Sequence, residues 1–162
     1  MKIAPNIVVK HFDELDAGDL FIYDFEGGAS AGIKIIDPGQ NGDLGALLLG
    51  PQFPGEQNAP HLIAAPKKTV VSFGKDFTIA LPIAPAFWAI NEAPTSVASM
   101  VIDATNCVYF RVSHEEQGDR LIDVNTGKIS NGPASDIFAF PKSWKIVIGK
   151  DSGEAHVLVQ QN

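Results

Sequence analysis

Four histidines, one cysteine and scattered carboxylates are the residues of this 162-residue chain best suited to chemistry. His11, His61, His114 and His156 stand far apart, with no HxH or HxxxH pair among them. A metal centre needs three or four ligands converging on one point, so neither a metal nor another cofactor is expected. Cys107 lies between Asn106 and Val108. A nucleophilic thiolate needs a base or a positive neighbour, and none is near it in the sequence. Ser30 alone stands in a Gly-x-Ser-x-Gly string, Gly28 to Gly32, but without the strand-to-helix turn that makes such a string a nucleophile elbow. Should a small-molecule site exist, its candidate lining is His11, Asp19, His61, His114 and Asp119, gathered from separate elements. Trp88 and Trp144 are candidates of another kind, flat apolar faces on which a sugar or a protein partner could rest.

Two loops imitate ligand-binding motifs. Asp37-Pro38-Gly39-Gln40-Asn41-Gly42-Asp43 begins like a calcium loop, but Gly39 and Leu48 stand where an oxygen ligand and a glutamate are required. It reads as a turn, because Pro-Gly and Asn-Gly supply turn dihedrals. Gly27-Gly28-Ala29-Ser30-Ala31-Gly32 is glycine-rich but lacks the Lys-Ser/Thr ending of a phosphate loop. It is expected to be a hairpin tip.

The elements that would carry these residues are strands. Runs of β-branched and aromatic residues fall at 3–9, 20–25, 33–36, 46–49, 61–63, 70–73, 97–102, 108–113, 120–124, 128–130, 137–140, 144–148 and 155–159. Gly and Pro punctuate them, as in all-β chains. Phe12 and Leu15 are expected to point inward from a turn, and Asp123 to Ile129 is a hairpin signal with Gly127 at the left-handed position. No sustained 3.6-residue periodicity argues for helix. Gly50 to Pro60 is a long polar loop whose only large apolar residue is Phe53. Net charge is −7, with 12 basic residues and no basic run, which disfavours nucleic acid as a partner. No 18-residue apolar run is present, so no membrane partner is expected. The start lacks a signal-peptide h-region, and the cytoplasm is the expected compartment.

Pro66-Lys67-Lys68-Thr69-Val70-Val71-Ser72-Phe73-Gly74-Lys75-Asp76 rhymes with Pro141-Lys142-Ser143-Trp144-Lys145-Ile146-Val147-Ile148-Gly149-Lys150-Asp151, 75 residues later. Carried backwards, that offset places Phe12 on Phe87, Ile33 on Val108, Leu47 on Ile122 and Leu62 on Ile137. Apolar parity is kept, as strands with one buried face require. The expected architecture is all-β: a first small β-barrel half over 1–76, a proline-broken junction over 77–90 and a second half over 91–162. A single β-sandwich is the alternative. Residues 11–36 carry Phe12-x-x-Leu15-x-x-Gly18-Asp19-x-Phe21 and then Gly32-Ile33-Lys34-Ile35. That pattern resembles the opening of small SH3-like barrel proteins of bacteria and phage. The resemblance implies a barrel and no activity, since that fold hosts many functions.

The functional expectation is a non-catalytic binding or structural module. Its partner is expected to be a protein or a second copy rather than a small molecule. The alternatives are an enzyme or small-ligand binder with its site between the halves, and a carbohydrate-binding module using an exposed tryptophan.

Overall fold

Alternation of apolar and polar residues becomes fifteen strands in the computed structural model, which describes residues 7–25, 28–36, 44–50, 60–81, 88–90, 100–114, 118–130, 138–141, 143–149 and 156–161. The first seven are Val8–His11 (β1), Leu20–Phe25 (β2), Gly28–Ile36 (β3), Leu44–Gly50 (β4), His61–Ala64 (β5), Thr69–Gly74 (β6) and Phe77–Ala80 (β7). The next seven are Trp88–Ile90 (β8), Met100–Asp103 (β9), Val108–His114 (β10), Gly118–Asp123 (β11), Ile129–Ser130 (β12), Phe138–Pro141 (β13) and Trp144–Ile148 (β14), and His156–Gln161 (β15) closes the chain. The only helical piece among the described residues is a 3-10 turn, Phe12–Glu14. No described helix is long and apolar enough to cross a membrane.

The first sheet has the order β1-β6-β2-β3-β4-β5 and the second β8-β13-β9-β10-β11-β12. Each strand of the second order is the corresponding strand of the first, seven places later in the chain. The pair left over, β7 and β14, lie side by side and antiparallel, with β15 on the far side of β14.

Side chains alternate across each strand, and this sorts the apolar residues into one central and two outer clusters. Leu20, Ile33, Ile35, Leu47 and Leu49 from the first sheet pack in one cluster with Met100, Phe110, Val112 and Ile122 from the second. Trp144 and Ile146 of β14 join them, and the Trp144 ring meets Phe110 edge-on at 5.0 Å. The opposite face of the first sheet carries Phe21, Tyr23, Leu48 and Val70, covered by Phe12 and Leu15 from the 3-10 turn. The outer face of the second carries Val101, Tyr109 and Phe140.

The chain therefore departs from tandem SH3-like barrels. Neither six-stranded sheet closes: β1 and β5 are the edges of one, β12 and β8 of the other. A closed barrel buries its own inner face, whereas here each sheet buries its inner face against the other. Two smaller expectations are also corrected. The glycine-rich stretch is strand from Gly28 onward, not a hairpin tip. Glycine serves packing there: a Cβ on Gly32 would sit 2.8 Å from Phe21 Cζ and 3.0 Å from Leu47 O. The rhyming stretches also occupy different places, since β6 is an interior strand of the first sheet and β14 is the centre of the three-stranded one. The turn at 37–43 and most of the 50–60 loop, with Phe53, lie outside the described residues.

The two sheets also meet at a backbone joint. The β11–β12 hairpin forms as its sequence signals: Gly127 is left-handed at φ 64° and its N–H donates to Asp123 O. The Asp123 carboxylate accepts from Asn125 N–H and from the Thr126 hydroxyl and N–H. Ile36 N–H donates to Gly127 O at 2.7 Å, and Ile36 bridges Lys128 in parallel. Ala17 and Gly18 lie directly beneath, so a Cβ on Gly127 would come within 2.5 Å of Gly18 N and of Lys34 O.

Candidate functional site

Buried polar groups come first, because they are costly unless satisfied. Lys34 lies in the apolar run of β3 yet is 2% exposed. Its ammonium donates to the carbonyls of Phe12, Asp13 and Leu15 and sits 5.4 Å from the Phe12 ring centre. Burial pushes its pKa below the ordinary lysine value, against the pull of Asp13, Asp16 and Asp19. The backbone completes the knot, with Gly18 N–H donating to Lys34 O and Lys34 N–H to Asp19 O. Asp19 is buried and accepts Asp16 N–H at 3.0 Å. All three ammonium hydrogens of Lys34 thus serve to hold the 3-10 turn over the first sheet's outer cluster.

Asp103 is the second such group, at 3% exposure. It accepts from Thr105 N–H at 2.9 Å, Thr105 Oγ1 at 2.6 Å, Cys107 N–H at 3.1 Å and Tyr109 OH at 3.2 Å. Burial opposes its charge, but these donors hold the carboxyl below its usual range. The Tyr109 phenol is pushed up to about 12, by burial first and then by its bond to Asp103. Cys107 Sγ lies 3.4 Å from Thr105 Oγ1. With the Asp103 carboxylate occupied by four donors, the cluster fixes the 103–107 turn, in which Asn106 takes φ 62°.

The outward-looking features lie at strand edges. The large apolar residues exposed among those described are Ile7 at 39%, Val8 at 47%, Val9 at 67% and Val157 at 51%. Three belong to or adjoin β1, and the fourth is on β15, an edge of the three-stranded sheet. β1 pairs with β6 from Val8 opposite Ser72 to His11 opposite Thr69, and no described strand pairs with its other side. Phe12 donates its N–H to Lys68 O. In an antiparallel ladder successive residues turn their backbone groups to opposite sides, so Lys10 and Val8 face β6 while Val9 and Ile7 face outward. His11 also faces outward, and its N–H is taken by Glu14 Oε2 at 2.8 Å. The unpaired edge therefore runs from Ile7 to Val9.

A groove lies on each face of this edge. Val8 and Lys10 line one of about 460 Å³ together with Phe73, Lys75 and Asp76. Val9 lines the other, of about 280 Å³, with Ile22, Val71 and Ala29. Val9, Val71 and Ile22 are opposite one another across three strands, forming an apolar row.

The residues singled out in the sequence do not meet in one cleft as far as they are described. His11 ends β1 and His61 begins β5, on opposite edges of a six-stranded sheet, about 24 Å apart at the usual strand spacing. The exposed His11 ring lies 3.3 Å from Asp13. Asp19 belongs to the Lys34 knot. In the second sheet, His114 pairs with Gly118 and Asp119 with Ser113 across the β10–β11 hairpin. Trp144 is 3% exposed and offers no face to a sugar. Trp88 opens β8, opposite Pro141, and its side chain lies outside the described residues. Sequence reasoning missed Lys34, Asp103 and the β1 edge. A lysine between isoleucines, and an Asp-x-Thr-x-Cys-x-Tyr spacing, were the available signals for the first two. No protein-family model, curated protein or solved structure matches the chain.

Proposed function

We propose that the chain is a non-catalytic interaction module, built from two duplicated halves, that binds a protein through an exposed strand edge. One observation carries the reading: the exposed large apolar residues among those described are confined to β1, its leading residue Ile7, and β15. Apolar residues on an unpaired edge invite pairing with another chain, whereas the buried ionic groups Lys34 and Asp103 are occupied within the fold.

Duplication is supported by the shared strand order, and by registers that pair counterparts. Leu20 stands opposite Ile33 as Met100 stands opposite Phe110, and Ile33 opposite Leu47 as Phe110 stands opposite Ile122. Leu47 in turn faces Leu62 as Ile122 faces Ile129. The shift is 80 residues from Leu20 to Met100, 77 from Ile33 to Phe110, 75 from Leu47 to Ile122 and 67 from Leu62 to Ile129. The sequence offset of 75 is thus one value of a sliding one. On this reading the halves divide within 77–90, with β7 closing the first and β8 opening the second.

Panning a display library of random peptides against the intact chain tests the binding reading. Enriched peptides are expected to lose binding when Val9→Lys places a charge on the edge, while the circular dichroism spectrum stays unchanged. Enriched peptides that bind Val9→Lys and Val157→Lys as tightly as the parent would overturn it.

A further inference from the structure

We propose that the β1 edge accepts an extended segment of alternating acidic and aliphatic residues as a seventh strand of the first sheet. This rests on the interaction-module reading and specifies its partner. The argument begins with the backbone. Ile7 and Val9 each direct an N–H and a C=O away from β6, and the Glu14 carboxylate on His11 N–H ends the available edge at that point. A short strand laid alongside gains main-chain hydrogen bonds, and its side chains fall alternately on the two faces of the sheet.

Each face has a groove of different chemistry waiting there. The inner one holds the apolar row of Val9, Val71 and Ile22, which suits an aliphatic side chain, although Asp24 also lines it. The outer one carries Lys10 and Lys75 against a single carboxylate, Asp76, which suits a carboxylate. Lys67 and Lys68, both exposed, precede Thr69, the partner of His11, and the Lys68 ammonium donates to Asp24 O on β2. The concentration is notable in a chain of net charge −7. Lysine on an edge also guards against indiscriminate pairing, and here it does so selectively. A second copy pairing β1 against β1 would bring Lys10 and Lys75 of both copies together. An acidic strand faces those lysines as opposite charges, with Asp24 and Asp76 the like charges lining the two grooves.

The test uses the intact chain and two fluorescently labelled ten-residue peptides, one of alternating Glu and Val and one of alternating Lys and Val. Anisotropy and amide chemical shifts are followed at low and high salt. The Glu-Val peptide is expected to bind at least ten-fold more tightly than the Lys-Val peptide. Binding should weaken as salt screens the lysines, and the shifts should centre on Ile7–Lys10 and Lys75. Val9→Pro removes an outward-facing N–H, which an edge strand tolerates, and is expected to cost at least ten-fold in affinity with the thermal midpoint retained. The paired reversal Lys10→Glu and Lys75→Glu should invert the preference between the peptides. Equal binding of both peptides, or shifts centred elsewhere, overturns the proposal. Concentration-dependent self-association abolished by Val9→Pro, with neither peptide binding, overturns the acidic partner but keeps the interaction edge. Absence of peptide binding and self-association alike overturns both.

Discussion

The shared core makes a quantitative demand on unfolding. Leu47 lies in the first sheet, opposite Ile33 and Leu62, with no exposed surface. It belongs to the same cluster as Phe110 and Trp144. Truncation to alanine removes its transfer free energy and leaves a cavity, about 3–5 kcal/mol for buried leucines. With a urea dependence of about 2 kcal/mol per molar, the midpoint should fall by roughly 1.5–2.5 M. Neither tryptophan is in the first sheet, Trp88 lying on β8 and Trp144 on β14, so a change at Leu47 reaches their emission only through the shared cluster. If the sheets unfold as one unit, Leu47→Ala shifts the tryptophan transition and the far-ultraviolet circular dichroism transition together. A tryptophan transition that stays at the parent midpoint while the dichroism signal splits in two would refute the common core and restore two independent halves.

The remaining predictions concern the joint and the buried carboxylate. Gly127→Ala forces a side chain into the left-handed region, at about 1–2 kcal/mol, and drives a Cβ against the backbone of Gly18 and Lys34. A loss beyond about 2 kcal/mol is expected in urea titration, whereas Asn125→Ala, exposed on the same hairpin, should stay within about 0.5 kcal/mol; equal effects would deny the joint. Asp103, held below its usual range, contributes stability that is present above the unfolded carboxyl pKa of about 3.9 and is lost as pH falls through its folded value. Asp103→Asn should therefore flatten the acid limb of the stability curve. Tyr109, raised to about 12, contributes stability that is full below about pH 10 and lost as pH rises through its folded pKa. Absorbance titration of the phenols should show one tyrosine ionising near 12. Asp103→Asn should lower that value only part way, because burial persists; no change would deny the bond.

Much of the strand content was legible because period-two patterning and turn residues reflect local physics. β2, β6, β10, β11 and β14 fall within a residue or two of their expected bounds, and the Asp123–Gly127 turn forms as signalled. The resemblance motif proves to be one structural unit. Phe12, Leu15 and Phe21 make the outer cluster, Gly18 and Asp19 bond the backbone of Lys34, and Lys34 secures the turn. What could not be read was closure. The same five or six strands with one apolar face can close on themselves or cover a like sheet, and patterning does not distinguish the two. The glycine-rich stretch misled for a related reason, since glycine that admits the Phe21 ring looks the same in sequence as glycine that makes a turn.

The matching strand order of the two sheets was concealed by the freedom of cores and loops. A buried strand position constrains parity and approximate volume more than identity, so Leu20 and Met100, or Ile33 and Phe110, serve as counterparts without resembling each other. Changes in connection length then slide the offset from 80 to 67 along the half, and no single alignment shift can recover it. The rhyme at offset 75 survived because Pro-Lys and Gly-Lys-Asp flank a strand at both places, although β6 and β14 are not counterparts. The same correspondence bears on stoichiometry. β8 is the counterpart of β1 and also an edge of its sheet, but it reads Trp88-Ala89-Ile90 where β1 reads Val8-Val9-Lys10-His11. Without a lysine in that strand, the second edge lacks the charge that selects an acidic segment. Titration with the Glu-Val peptide should accordingly saturate at one peptide per chain, since β8 matches the edge position of β1 but carries no lysine.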